Sequence, residues 1–441
     1  MVRSIEVAGI VKHPNSKSKG IGFFVAAVVL VNFLSETVHG ILTRELGTEN
    51  YASLSVGEMS KGLLFVFLVG HALINIRYWR NLYVLIGLFY LVLLVCMQSL
   101  WLQLELKDII NTIMYGLRFL YLFFVINAVS IELSRRSVEP GELQEWLKRG
   151  VFLFHCVPIV LAALHIAGYA RLDRSFGFTG FMMNQNSMAT VLVGMSPFFF
   201  RCKIIRDYVM LFVYLLAASL LGARVAYIGV GLMGVFFGGN ALLRFVKGRG
   251  RIRVTTRMVL TLFALGLIAI MAIGFVVSTP LVNQLQSVVN GLEYMGSITQ
   301  GTPTVAAGLI ASTGRPEGAI RFLNWATNAD NWLLLIFGGG TTTLNIRTEL
   351  DWVDLSVTFG AGVTLVFYGI IAYLLWSIRF ARLRHLKLET FMSLLLVTVV
   401  SLGAGHTFIM PATSTIIGCV VGAFFASSNR SGIIHRADSS A

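Results

Sequence analysis

Apolar runs of near membrane-crossing length follow one another along this chain, each closed by a polar connection. They fall at 21–34, 62–76, 82–100, 109–131, 151–170, 187–200, 208–221, 226–243, 258–277, 355–378, 388–410 and 411–427. A bilayer core requires about 20 apolar residues per helical crossing. Only helices and closed barrels satisfy their own backbone hydrogen bonds in hydrocarbon. The pattern therefore predicts an all-α polytopic membrane protein with about 12 transmembrane helices. The mean hydropathy of +0.77 points the same way, as does a charged fraction of 13%, against roughly 25% in soluble domains.

Charge placement supplies the topology. The net charge of +14 would suggest nucleic acid in a soluble protein, but here the basic residues crowd into alternate connections. Lys12, Lys17 and Lys19, then Arg77 and Arg80, Arg135 to Arg149, Arg201 to Arg206, Arg244 to Arg257, and Arg379 to Lys387 fall on one side. The positive-inside rule makes that side cytoplasmic. Both termini are then inside a bacterial inner membrane, and nucleic acid is excluded as a partner. The division is a lead-in at 1–20, nine spans over 21–279, an outer loop at 280–354, three spans over 355–427 and a tail at 428–441. Nothing at the start reads as a removable signal peptide.

The outer loop is the one long polar segment in an otherwise apolar chain. Leu281, Leu285, Val288, Val289, Leu292 and Met295 recur at helical spacing, so a short interfacial helix is expected there, with another over 317–328. Gly338-Gly339-Gly340 should break the chain before the acids. Cys96, Cys156, Cys202 and Cys419 sit in or beside spans, which implies no disulfide framework. The absence of CxxC, HExxH and Walker glycine patterns points to no metal or nucleotide cofactor.

Several polar residues converge on the outer side in this topology. Arg118 lies in the middle third of the fourth apolar run, where an arginine costs roughly 3 kcal/mol to insert and calls for a polar cavity or a carboxylate from another span. Arg174 precedes Asn184 and Asn186 between the fifth and sixth runs, and Arg224 occupies a very short turn. An arginine at a helix end commonly only snorkels. In the loop, Arg315 follows Ser312-Thr313-Gly314, and Arg321 lies four residues after Glu317, a spacing that also makes an ordinary helix-surface pair. Guanidinium forks suit a diphosphate because they present several donors in one plane. Glu349, Asp351 and Asp354 place three acids at the mouth of the next run, with Asp351 and Asp354 on one helix face. A solvated collar is the plain reading, and a general base the chemical one. His406 stands near the outer end of the eleventh run, where a backbone partner explains it most simply.

These residues resemble the O-antigen ligase and O-antigen polymerase superfamily, whose members act on polyprenyl-diphosphate-linked glycans. Arg174-x-x-Gly177 with Asn184-Gln185-Asn186-x-x-Ala189 is similar to the family's Arg…Gly…Asn-Pro-Asn-x-x-Ala block. The Ala223-Arg224 turn looks like its Ser-Arg step. Thr313-Gly314-Arg315 and Trp325…Gly338-x-Gly340 resemble the start of its large outer loop. Glu349-x-Asp351-x-x-Asp354 ahead of Phe359-Gly360 is similar to the acidic stretch that leads into the next span in polymerases. The resemblance spans roughly residues 170 to 360. Gln185 replaces the usual proline, and the loop lacks the histidine found in lipid A core ligases, so the resemblance leans toward the polymerase branch.

That resemblance implies nucleotide-independent glycosyl transfer on the outer membrane face. Arg118, Arg174, Arg224 and Arg315 would hold the lipid diphosphate, with Arg321, Asp354 and His406 as further substrate contacts. Asn184 and Asn186 would orient sugar or phosphate, and Glu349 or Asp351 would deprotonate the acceptor. Expected partners are the lipid-linked glycan, the bilayer, and flippase and chain-length regulator proteins of the same pathway. A ligase acting on lipid A core is the nearest alternative. A transporter is the alternative from another class, but it predicts pseudo-symmetric halves that the sequence does not display.

Overall fold

The computed structural model describes residues 23–45, 56–136, 140–170, 178–181, 185–202, 204–221, 223–246, 326–327, 332–340, 350–381, 386–403 and 406–438. The apolar runs within them close into helices. These are α1 (Phe23–Glu45), α2 (Val56–Ile74), α3 (Trp79–Leu102), α4 (Leu106–Arg136), α5 (Pro140–Val151), α6 (Val157–Ala163), α7 (Gln185–Phe199), α8 (Ile205–Leu220) and α9 (Arg224–Val246). Further along the chain follow α10 (Trp332–Phe337), α11 (Asp351–Phe359), α12 (Ala361–Phe380), α13 (Lys387–Gly403) and α14 (Pro411–Asp438). A two-stranded antiparallel hairpin, β1 (Tyr169–Ala170) with β2 (Phe178–Gly180), links α6 to α7.

Six helices among the described residues are long and apolar enough to cross a membrane: 24–42, 79–102, 106–135, 141–163, 361–380 and 411–428. Their outward faces are apolar as well. Phe89, Leu100 and Leu365 are 70%, 81% and 75% exposed, a surface that water would penalise and lipid accepts. The molecule is therefore a helical membrane protein. The ninth apolar run, at 258–277, lies outside the described residues.

The centre of the bundle is the parallel pair α4 and α14. Gly418 meets Val125 so closely that a Cβ there would lie 2.7 Å from Val125 Cγ1, and one on Gly422 would lie 2.8 Å from the Ile126 carbonyl oxygen. Small residues four apart let two backbones approach and gain dispersion contact where lipid supplies no hydrophobic drive. The Tyr121 hydroxyl meets Thr415 Oγ1 at 3.1 Å on the same seam. Around this pair pack α1, α2, α3, α5 and α7, with α13 and α9 against α7. At the base, Lys148 of α5 and Asp207 of α8 pair at 3.1 Å, both buried.

Three runs read as continuous spans are shaped differently. The run at 151–170 passes through a π-helical turn at Phe152–Cys156, and its helix ends at Ala163. The run at 355–378 begins earlier, at Asp351, and breaks at Gly360, whose φ of 91° and ψ of 157° no helix tolerates. The last run continues as helix to Asp438, through most of the segment read as a tail.

Replacing Gly422 with Leu should force α14 off α4 and lower the melting midpoint of detergent-solubilised protein, with overpacking of about 1–3 kcal/mol. Gly369→Leu, where an added Cβ meets nothing within 4 Å, should melt like the parent protein.

Candidate functional site

The break at Gly360 sets α11 as a short helix apart from α12, and three contacts pin it. Gly339 and Gly340 donate backbone N–H groups to the carbonyls of Val357 and Thr358, at 2.8 and 3.2 Å. Gln98 of α3 donates its side-chain amide to the carbonyls of Phe337 and Thr358, each at 2.8 Å. Trp352 Nε1 donates to the Leu402 carbonyl at the end of α13, at 3.1 Å. The glycines permit this: Gly338 has φ 78°, and a Cβ on either Gly338 or Gly360 would collide with the facing backbone. Sequence reasoning expected the triple glycine to break the chain, but not its role as the bracket of α11.

The first turn of α11 carries Asp351 and Asp354 on one face, favourable placement for carboxylates near a helix N-terminus. Both meet His406. His406 Nδ1 lies 3.5 Å from Asp351 Oδ1 and 3.6 Å from Asp354 Oδ2. Asp351 is fully enclosed at 0% exposure, with Asp354 and His406 each at 7%. Asp351 Oδ2 also accepts the backbone N–H groups of Thr407 and Phe408, at 2.9 and 2.8 Å. One carboxylate thus does two jobs. Oδ2 satisfies two main-chain donors in the connection from α13 to α14, and Oδ1 faces the imidazole. Both carboxylates flank Nδ1 as charged neighbours rather than as hydrogen-bond partners, and the imidazole has Nε2 as its second nitrogen.

The remaining candidates fall into two groups. Gly418 and Gly422 face Val125 and Val129, and the same parallel register sets Arg118 level with Pro411, the first residue of α14. Arg118 is half-buried there. Asn186 lies in the first turn of α7, and Thr190 one turn on meets Thr413 Oγ1 at 2.7 Å. Arg224 opens α9, which runs alongside α7 with Gly229 against Val193. Arg118, Asn186 and Arg224 therefore sit at the end of the bundle that holds Asp351, Asp354 and His406. Arg174, Asn184, Arg315, Arg321 and Glu349 lie outside the described residues.

Two expectations change in weight. Asp351 is no longer an acid at an open mouth, because its burial and its two backbone donors make it a group that positions others. His406, expected to have only a backbone partner, is the residue on which two acids converge. The missed signal is positional: the Gly-Ala-Gly before His406 and the Pro411 after Met410 mark a tight connection. Nothing in one sequence states that Asp351, 55 residues away, caps it. No protein-family model matches the chain, and no curated protein matches it in sequence.

Asp351→Ala should strip both donors of their buried acceptor and destabilise the solubilised protein by about 2–3 kcal/mol, the scale of hydrogen bonds to a charged group. His406→Ala removes none of those bonds and should lower the melting midpoint less.

Proposed function

We propose that this protein is a membrane glycosyltransferase that polymerises polyprenyl-diphosphate-linked oligosaccharide units on the outer face of the bacterial inner membrane. The observation that carries the reading is the cluster of His406 Nδ1 against Asp351 and Asp354, at the bundle end shared with Arg118, Asn186 and Arg224. A histidine flanked by carboxylates, at the same bundle end as two arginines, matches what this reaction needs. One part must remove a proton from an acceptor hydroxyl, and another must hold a departing diphosphate.

In this scheme the acceptor oxygen attacks the anomeric carbon of the donor sugar, and the bond from that carbon to the diphosphate oxygen breaks. His406 Nε2 takes the hydroxyl proton, and Asp351 and Asp354 stabilise the imidazolium. Arg118 and Arg224, with Arg174, Arg315 and Arg321 from the connections, hold the leaving lipid diphosphate. Asn184 and Asn186 orient the sugars. Glu349, two residues before Asp351, remains the alternative base. No nucleotide enters, because the diphosphate is the leaving group. Flippase and chain-length regulator proteins are the partners this role calls for, and the distribution of basic connections supports cytoplasmic termini.

One observation favours a second reading. The histidine that the outer loop lacks is supplied by the α13–α14 connection, which returns transfer to a lipid A core acceptor to consideration. Incubating purified protein with lipid-linked repeat units, with and without lipid A core and without nucleotide, separates the two. Lengthened lipid-linked chains are expected, a core-linked product would establish the ligase, and folded protein yielding neither would end both readings.

His406→Gln should reduce turnover by about 10²–10⁴-fold, the range of general base assistance, while expression and melting stay near the parent values. Single-turnover assays with lipid-linked substrate measure it, and full turnover would remove His406 from the mechanism.

A further inference from the structure

Between α3 and α12 a groove of about 1080 Å³ runs from Leu355 and Phe359 of α11 to Arg80 at the far end of α3 and α4. It exceeds the roughly 300–1,000 Å³ of ordinary small-molecule sites. Phe119 and Phe123 of α4 form its floor, and Tyr83, Val366, Tyr373 and Trp376 line its walls. Those four wall residues are each 63–64% exposed, so the groove opens on the surface that lipid covers. Arg80 closes one end. Its guanidinium lies 5.0 Å from the Phe425 ring centroid and 5.5 Å from that of Trp79. Asn127 Nδ2 donates to the Arg80 carbonyl at 3.1 Å, which ties this end of α3 to α4.

Among the described residues no carboxylate pairs with Arg80. Arg77 and Arg379 stand at the same end, each against an aromatic ring. A half-buried cation between two rings, at the end of an apolar channel facing lipid, has the form of a headgroup site with its acyl channel attached. Guanidinium holds phosphate through paired N–H donors, and the surplus of positive charge there selects a headgroup with net negative charge. We infer that the groove between α3 and α12 binds an anionic glycerophospholipid, its phosphate on Arg80 and an acyl chain running toward Phe119. This inference does not rest on the proposed transferase chemistry: its headgroup contacts are at the Arg80 end of the groove, and the transferase residues lie past the opposite end, at Leu355 and Phe359.

The test is native mass spectrometry of the full-length protein in detergent, titrated with phosphatidylglycerol and with phosphatidylcholine of the same acyl chains. Phosphatidylglycerol should bind roughly fivefold tighter, the scale of one basic residue facing anionic lipid. Arg80→Gln should abolish the preference while phosphatidylcholine binding is retained. Gly87→Leu fills the groove midway, where an added Cβ comes no closer than 3.7 Å to Leu120 Cδ2, and should weaken both lipids. Equal affinity for the two lipids in the parent protein, a preference that survives Arg80→Gln, or undiminished binding in Gly87→Leu would each overturn the proposal. Displacement of phosphatidylglycerol by a lower concentration of polyprenyl phosphate would assign the groove to the carrier lipid instead.

Discussion

The approach of α14 to α4 is the contact on which the other arrangements depend. In lipid, two helices gain little by hiding apolar surface from one another, and what holds them is close atomic contact. Gly418 and Gly422 bring the α14 backbone against Val125, Ile126 and Val129. That single register fixes the height of Pro411 relative to α4, and with it the height of Thr407 and His406. It also sets where Asn32 of α1 donates to the Pro411 carbonyl at 3.0 Å, and where Thr190 of α7 finds Thr413. A shift of one residue along this seam would move His406 away from α11.

The second dependency is the carboxylate of Asp351. A tight connection between two membrane helices leaves main-chain N–H groups in surroundings with little water, and each needs an acceptor. Asp351 supplies one oxygen for two of them. Burying a carboxylate is costly unless it is hydrogen-bonded, and here the α13–α14 connection gives Oδ2 two donors, while His406 Nδ1 stands 3.5 Å from Oδ1. The same contacts fix the backbone next to His406. Structure and proposed chemistry share one side chain, so activity losses in Asp351 variants have to be read beside their stability.

Much of the helical layout was legible in the sequence, because an apolar run has few options in a bilayer. The pairing of Asp351 with Asp354 on one face follows from helical spacing alone, and the triple glycine announced its break. The break at Gly360 was less visible. A lone glycine inside an apolar run is common in membrane helices, and only the packing of α10 against it makes a side chain impossible. The convergence on His406 was not legible at all. It depends on α11 and the α13–α14 connection meeting across 55 residues of chain, a distance that neither periodicity nor local motif encodes. The groove beside Arg80 was hidden for a related reason, since α3 and α12 are remote in sequence and the basic residues there read simply as topology signals.

Gln98 carries a consequence of a different kind. Its amide donates to a carbonyl on each side of the glycine bracket, Phe337 before it and Thr358 after it, although Gln98 belongs to α3 and lies well over 200 residues earlier in the chain. The entry of the chain into α11 is thus written partly in the first quarter of the sequence. Loop and bundle are not interchangeable modules: a chimera that exchanges the segment ahead of α11 inherits its anchorage only if the recipient's third helix brings an amide to the same height.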